Sequence, residues 1–267
     1  ENSDIPMKFS RVADDDNGLR LGVYTDASWA SRPDSSSQGG YYVFVMDQGG
    51  LDGEARPLIC LDWGSRKLPR VCRSSLSAEA QACANAVDRL EWCVSMLVGI
   101  FAPQLQVGSS EAYDFLPRHV VVTDSRGLYD ASQSQTAGLG IQDKRTAIEV
   151  MIINERMAAI HAGWRWTSAD QQLSDGLTKV QTRQVLADQL RRGYHMLVFD
   201  PDAKAAKKKT DADRRQDAQR LQDGARHWQQ RQRSSHTRSH VPVDESLVCV
   251  SPSASASLMR AGARHHR

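Results

Sequence analysis

The chain lacks a hydrophobic run long enough to cross a bilayer. Its longest apolar stretch, Trp92 to Phe101, is about half of the ~20 residues that a membrane helix needs. Cysteine is also scarce: the five cysteines are odd in number and include no C-x-x-C pair, which argues against a zinc site or a disulfide framework. We therefore expect no membrane partner, reduced core thiols, and a cytoplasmic or nuclear location inside the cell.

Positive charge is unevenly distributed along the 267 residues. Residues 203–267 hold 14 Lys and Arg against 6 Asp and Glu, a net charge of +8, whereas residues 1–202 are acidic. The basic segment has few large apolar residues and includes the Ser/Ala/Pro tract Ser251–Ser257, so it cannot bury enough surface to fold alone. We predict a polar leading segment over 1–18, a folded domain over 19–200, and a disordered basic low-complexity tail over 201–267. The first residue is Glu1 rather than Met, and we expect a fragment of a longer protein.

The order of apolar runs predicts an α/β domain. Three runs rich in β-branched and aromatic residues predict a meander of antiparallel strands: Leu19–Thr25, Tyr41–Met46 and Leu58–Trp63. A long helix is predicted over Ser77–Ile100, followed by a short buried strand at Val120–Thr123. Further helices are predicted over Arg126–Ser132 and Gln142–His161, then a strand at Trp164–Trp166 and a last helical region from Ser168 to about Leu197.

Four carboxylates lie at the ends of predicted strands or within predicted helices: Asp26, Glu79, Asp124 and Asp175. Each residue taken singly is typical of a turn, a helix cap or a solvated surface. Two of the four, Asp26 and Asp124, end apolar β-type runs, and open α/β sheets bind their ligands at such strand ends. Carboxylates without competing His or Cys favour hard cations such as Mg²⁺.

The segments around these carboxylates resemble the ribonuclease H domain of the Pol polyprotein of copia-type LTR retrotransposons. The resemblance runs from about Leu19 to about Leu197 and rests on an ordered set of motifs rather than on one of them. These motifs are Tyr24-Thr25-Asp26-Ala27-Ser28-Trp29-Ala30, Ser36-Ser37-Gln38-Gly39-Gly40-Tyr41-Tyr42-Val43-Phe44, Trp63-Gly64-Ser65-Arg66-Lys67-Leu68-Pro69, Ser77-Ala78-Glu79-Ala80, Thr123-Asp124-Ser125 and Gln172-Leu173-Ser174-Asp175-Gly176-Leu177-Thr178-Lys179.

The resemblance implies a ribonuclease H-like fold, with a mixed five-stranded sheet of three antiparallel strands and then parallel strands, flanked by helices. It implies an endonuclease that hydrolyses the RNA strand of RNA–DNA hybrids during reverse transcription, and residues 1–18 as the link to an upstream reverse transcriptase. Two Mg²⁺ ions, replaceable by Mn²⁺, would be held by Asp26, Glu79, Asp124 and Asp175. By the same resemblance Asp26 bridges both ions, Glu79 and Asp124 hold the leaving-group ion, and Asp175 completes the ion that activates water.

This chain departs from the family at two positions. Gln81 stands where many members carry a second acidic residue, and Ala147 stands where many carry a histidine. Two alternatives to an active ribonuclease H therefore stay open. One is a decayed domain that only binds nucleic acid or supports a reverse transcriptase. The other is a different metal nuclease of the same fold, such as an integrase or an exonuclease.

A cluster of basic residues precedes the helix that carries Glu79. Arg66, Lys67, Arg70 and Arg73 are candidates for phosphate contacts, and a solvated loop face is an equally good interpretation. Ser75 is a candidate for both helix capping and backbone contact with a nucleic acid. Five tryptophans are expected to be core residues: Trp29, Trp63, Trp92, Trp164 and Trp166.

Overall fold

A five-stranded mixed sheet forms the centre of the protein. The computed structural model describes residues 6–12, 18–116, 118–134, 140–197 and 211–236. The strands are β1 (Leu19–Ser28), β2 (Gln38–Asp47), β3 (Arg56–Pro57), β4 (Ile59–Lys67), β5 (His119–Thr123), β6 (Ala162–Trp166) and β7 (Tyr194–His195). The main sheet has the order β4-β2-β1-β5-β6, antiparallel through β4, β2 and β1 and parallel through β1, β5 and β6. The predicted ribonuclease H-like sheet is confirmed.

Helices cover both faces of this sheet. They are α1 (Gln48–Leu51), α2 (Ser75–Phe101), α3 (Ser110–Phe115), α4 (Arg126–Gln133), α5 (Lys144–Ala159), α6 (Asp175–Thr178), α7 (Arg183–Arg192) and α8 (Asp211–His236). The long helix α2 begins at Ser75, two residues before the predicted start, because the Ser74 hydroxyl caps it by accepting a hydrogen bond from the Ser77 N–H at 3.1 Å. None of the helices in the described ranges is both long and apolar enough to cross a bilayer.

Two apolar layers hold the helices against the sheet. On one face, α2, α4 and α5 pack on β1, β2 and β5 through fully buried residues such as Val23, Leu90 and Ile153. On the other face, the segment from Leu173 to α7 packs on Tyr24 and Phe44 of the same strands. A sheet covered on both sides explains why its central strands read as near-continuous apolar runs rather than as alternating ones.

Close backbone approach at Gly40 brings α6 over β2. A Cβ atom at this position would lie 2.9 Å from Thr178 Cγ2 and 3.0 Å from Leu177 Cβ, so only glycine leaves room for the helix. Gly40 pairs with Asp26 across the two antiparallel strands. The short helix α6 therefore lies beside the end of β1, where the first candidate carboxylate is located.

The last helical region is shorter than predicted. The sequence pattern predicts helix to about Leu197, but α7 ends at Arg192, because Gly193 adopts the left-handed conformation (φ 69°) and closes the helix. Tyr194 and His195 then pair antiparallel with Pro57 and Arg56 in a separate two-stranded ribbon. The sequence pattern gave no signal for this ribbon because each of its strands has only two residues.

The segment after residue 200 contains more structure than expected. Residues 211–236 form α8, and Trp228 on this helix is only 5% exposed. The Trp228 ring lies 4.5 Å from the guanidinium carbon of Arg56, and a Cβ at Gly224 would lie 2.5 Å from Ala55 Cβ. One buried aromatic residue and a glycine contact thus attach the helix to the ribbon region, which a composition argument could not reveal. Residues 201–210 and 237–267 of the predicted tail, 198–200 of the predicted domain, and 1–5 and 13–17 of the leading segment lie outside the described residues.

The chain divides into two compact units, residues 1–228 and 229–267. Of the second unit, residues 229–236 are described, and they form the last turns of a helix. The sequence-based boundaries at residues 18 and 200 stay predictions.

The expectation that all five tryptophans are core residues is wrong for three of them. Trp29, Trp63 and Trp92 are 50%, 58% and 51% exposed. Trp92 lies under the guanidinium of Arg89, at 4.9 Å from ring centre to Cζ, so it is partly covered by a charged side chain rather than by the core. Trp164 and Trp166 on β6 are partly buried and donate hydrogen bonds to Asn154 and to the Asp124 carbonyl.

We predict that Trp228→Ala lowers the free energy of unfolding by about 2–4 kcal/mol, because truncating a buried aromatic residue removes apolar burial and leaves a cavity. Urea unfolding of the full chain, followed by circular dichroism, measures this change. The matched control is Trp63→Ala, whose side chain is mostly exposed and should cost less than about 1 kcal/mol. Equal effects of the two substitutions would contradict the packing of α8 on the body.

Candidate metal centre

Asp26 lies near the end of β1 and is 1% exposed. The pairing of Asp26 with Gly40 of β2 leaves room for α6, and the Asp26 side chain faces Thr178 of that helix. A carboxylate in such a place is costly unless it is hydrogen-bonded or paired with a cation. Asp26 has both kinds of contact, from the hydroxyl of Thr178 and the ammonium of Lys179.

Asp124 and Asp175 reach the same place from two other elements. Asp124 directly follows β5, the parallel neighbour of β1, so the carboxyl ends of these two strands meet at one edge. Asp175 is the first residue of α6 and is 3% exposed. Carboxylate oxygens of Asp26, Asp124 and Asp175 all lie within 4.8 Å of one another. The structure therefore brings together three of the four carboxylates selected from the sequence.

Glu79, the fourth carboxylate, approaches from the first turns of α2. It lies outside the 4.8 Å group, but it is close enough for the charges of Asp26 and Asp124 to act on it. Its Oε2 atom is buried and has no hydrogen-bond partner in the described part of the chain. A buried carboxylate oxygen without a partner would be stabilised by a bound cation, because such an atom otherwise costs about 1–3 kcal/mol or more.

Burial and mutual repulsion raise the pKa of the carboxyls in this cluster. Burial raises the pKa of Glu79 well above its usual value, and the charges of Asp26 and Asp124 raise it further. The pKa of Asp124 is raised by burial and by Asp26. For Asp175, burial and the charge of Asp26 raise the pKa to about 7, although Lys179 opposes the shift. Negative charge is thus unfavourable here until a cation compensates it.

Several neighbours of the carboxylates were not selected from the sequence. The Lys179 ammonium lies 2.8 Å from Asp175 Oδ1 and 3.3 Å from Asp26 Oδ1. The Gln172 amide donates to the Thr25 carbonyl at 3.0 Å and to Asp124 Oδ1 at 3.4 Å. Lys179 follows Asp175 by four residues, which is the spacing of a helical ion pair, and this signal could have identified it.

The cluster fits divalent cations that prefer oxygen. The group of possible ligands within the described residues contains three aspartates and no histidine or cysteine, which is the donor set of Mg²⁺ and Mn²⁺ rather than of zinc. A bound cation would stabilise this cluster, because Glu79 has a buried oxygen without a partner and the carboxyl pKa values are raised.

Two of the basic candidates are held by neighbours on the surface. Arg66 on β4 donates to Asn85 Oδ1 at 2.7 Å, and Lys67 pairs with Asp34 at 2.6 Å. Both side chains are exposed, and neither contacts the carboxylate cluster. Their use in nucleic-acid binding stays a prediction.

The other basic candidates border a small surface cavity beside the start of α2. Arg70 and Arg73 line it together with residues from the first turns of α2 and α5, among them Gln81 and Arg145. Arg70 is paired with Glu149 of α5. Ser75 is the exposed first residue of α2, and its neighbour Ser74 makes the capping hydrogen bond. Two helix N-termini and three arginines meet the carboxylates of Asp143 and Glu149 at this place, so the positive charge here is partly compensated by the chain itself.

Comparisons with known proteins give matches among solved structures. The RNase H1 of the halophilic archaeon Halobacterium salinarum NRC-1 is 13% identical, covers 63% of this chain and 98% of its own, and has a TM-score of 0.38. LC11-RNase H1, isolated from compost by a metagenomic approach, is 14% identical over 62% and 98% of the two chains, with a TM-score of 0.40. The PFV RNase H domain is 17% identical over 64% and 92%, with a TM-score of 0.34.

No family model matches the chain, and no curated protein matches it by sequence. The fold is defined by its own strand order, and the case for a function rests on the carboxylate cluster.

We predict that Asp175→Asn stabilises the metal-free protein at pH 8 by on the order of 2 kcal/mol, and that this advantage disappears towards pH 4. A carboxyl whose pKa is about 7 in the folded state and ~3.9 when unfolded binds a proton preferentially on folding. In wild type, the stabilisation from proton binding to Asp175 is therefore complete below pH ~4 and is lost as the pH rises through 7. Urea unfolding in chelator at pH 8, 6 and 4.5 measures the difference between wild type and variant.

The comparison between wild type and Asp175→Asn measures the charge of Asp175 together with its effect on Glu79, whose pKa that charge also raises. Burial lowers the pKa of His119 and His195 to about 3, and these imidazoles contribute equally to both proteins, so they cancel in the difference. Asp188→Asn, on the exposed face of α7, is the control and should show no such pH-dependent advantage. A constant difference between wild type and Asp175→Asn across the pH range would contradict the clustered-charge interpretation.

Proposed function

We propose that this protein is a divalent-metal-dependent ribonuclease H, which hydrolyses the RNA strand of RNA–DNA hybrids. The observation that carries the proposal is the convergence of Asp26, Asp124 and Asp175 within 4.8 Å at the carboxyl ends of two parallel strands. Glu79 adds a fourth carboxylate with a partnerless oxygen. These are the four residues that the resemblance to retrotransposon ribonuclease H domains selects.

The chain's own residues supply a framework for hydrolysis rather than a nucleophile. Asp26, Asp124, Glu79 and Asp175 would hold two divalent cations, which when bound supply an activated water, charge neutralisation and stabilisation of the leaving oxygen. Asp26 is central to this arrangement, since it is the most buried of the three aspartates and both of its oxygens are contacted, one by Thr178 of α6 and one by Lys179. Water would attack phosphorus and the P–O3′ bond would break, leaving a 5′ phosphate and a 3′ hydroxyl.

The substrate would lie across the cluster and the start of α2. Arg73 and Arg70 at the surface cavity, with Arg66 and Lys67 on β4, would contact backbone phosphates. Basic residues with this placement give affinity without sequence selectivity, as a processing nuclease requires. The basic tail would add to this electrostatic attraction.

The resemblance to copia-type ribonuclease H domains also suggests a wider context for this domain. The domain would follow a reverse transcriptase in the Pol polyprotein of a copia-type retrotransposon and would act inside the cell on the hybrid which that polymerase makes. The partners would be the RNA–DNA hybrid and the upstream reverse transcriptase.

We predict that Asp26→Asn lowers Mg²⁺-dependent cleavage of an RNA–DNA hybrid by at least about a hundredfold while the fold persists. A ligand of the metals should matter more than the partners that merely orient ligands, whose loss costs 10–100-fold. Initial rates on a labelled 20-base-pair hybrid measure the effect, with double-stranded DNA and double-stranded RNA offered in parallel. Thermal unfolding checks that the variant remains folded.

The control for this experiment is Asp188→Asn, which removes an exposed carboxylate of α7 and should cleave like wild type. Comparable cleavage by wild type and Asp26→Asn would refute the site. Binding of the hybrid without cleavage by wild type would identify a non-catalytic domain instead. Preferential cleavage of double-stranded DNA would identify a different nuclease of this fold.

We predict that Arg73→Gln weakens hybrid binding several-fold and reduces the salt slope of log K by about 1, because one phosphate contact is lost. Both measurements are made by fluorescence anisotropy in the Asp26→Asn background, between 50 and 200 mM salt, so that cleavage does not interfere. Arg191→Gln at the end of α7 carries the same charge change and should leave the slope unaltered. Identical slopes for Arg73→Gln and Arg191→Gln would assign Arg73 to a solvated loop face.

A further inference from the structure

The ammonium of Lys179 occupies one side of the carboxylate cluster. It lies 2.8 Å from Asp175 Oδ1 and 3.3 Å from Asp26 Oδ1, so that two of the three clustered aspartates share one cation of the chain itself. Both aspartates are almost completely buried, which strengthens each contact relative to a surface ion pair. Lys179 therefore neutralises part of the negative charge of the cluster without any bound ion.

The other side of the cluster is covered differently. The hydrogen bonds of the Lys179 ammonium in the described chain go to Asp26 and Asp175. Asp124 is contacted instead by the neutral amide of Gln172 at a longer distance of 3.4 Å, and Glu79 Oε2 is the buried oxygen without a partner. Positive charge of the chain is thus concentrated on the Asp26–Asp175 side, and the Asp124–Glu79 side has none in direct contact.

The ammonium has a path out of the site. Lys179 directly follows the end of α6, its backbone is extended (φ −128°, ψ 129°), and its side chain is 37% exposed. A rotation of this long side chain about its own bonds can therefore carry the charge into solvent without moving a strand or a helix. Its backbone N–H donates to the Asp175 carbonyl at 2.8 Å, so the end of the helix stays closed during that rotation.

We propose that Lys179 is an internal counter-cation that competes with divalent ions for the Asp26–Asp175 side of the cluster, so that the two sides load unequally. This inference rests on the metal site of the proposed function and adds a residue that controls how strongly divalent ions bind there. An ion on the Asp124–Glu79 side meets uncompensated carboxylates. An ion on the Asp26–Asp175 side must first displace the ammonium, and its affinity is reduced by the free energy of that contact.

The inference has two consequences that a purely structural lysine would not produce. Neutralising Lys179 should tighten divalent-ion binding even though it removes a stabilising contact from the metal-free protein. Keeping the charge while changing the side chain should leave the affinity low. The expected tightening is about tenfold or more, since one opposite charge beside a carboxylate shifts its affinity for a proton by that factor.

The test is isothermal titration calorimetry of Mn²⁺ and Mg²⁺ into the metal-free full chain, without nucleic acid. Lys179→Met and Lys179→Gln are neutral variants of different length, Lys179→Arg retains the charge, and Lys144→Met is a matched neutralisation of an exposed lysine at the start of α5. Thermal unfolding in chelator and with saturating Mn²⁺ accompanies each titration.

We expect the neutral Lys179 variants to bind the weaker ion about tenfold more tightly than wild type, and to unfold at a lower temperature in chelator but not with Mn²⁺. Lys179→Arg and Lys144→Met should bind like wild type. Unchanged or weaker binding by both neutral variants, with binding intact in wild type, would overturn the role of Lys179 and leave the metal site standing. Absence of divalent-ion binding by every folded protein would overturn the metal site and the inference together.

Discussion

The confinement of like charges in a buried space is the constraint on which the rest of this structure depends. Three aspartates with oxygens within 4.8 Å repel one another, and burial deprives them of the water that would screen this repulsion. The raised pKa values of Asp175 and Glu79 are the direct expression of that cost. A protein retains such an arrangement when a ligand compensates for it, which is why the cluster is the natural location of a function.

The architecture holds the carboxylates together by using elements that cannot move apart independently. Parallel pairing of β1 and β5 fixes Asp26 beside Asp124, and the approach of α6 at Gly40 brings Asp175 to them. Apolar layers on both faces of the sheet supply the free energy that offsets the repulsion. Lys179, Thr178 and Gln172 then offset part of the local cost through direct contacts.

Much of the fold could be predicted from periodicity and local chemistry. The strands at Leu19 and Tyr41 and the helix after Ser74 follow from apolar runs and a capping serine, which act within a few residues of sequence. Trp63 and the packing of Trp228 could not be predicted, since the exposure of a side chain depends on what lies opposite to it. The ribbon of β3 and β7 could not be predicted either, since its strands have two residues each and pair across more than a hundred residues of sequence.

The sequence by itself determined the identity of the four carboxylates, the oxygen-only donor set and the order of the elements that carry them, because these properties belong to residue types and short patterns. Tertiary structure alone decided that Asp26, Asp124 and Asp175 meet while Glu79 stays slightly apart. It also decided that Lys179 lies inside the cluster rather than in solvent. Distances between side chains far apart in the chain are fixed by packing of the whole sheet against its helices, and no local pattern contains them.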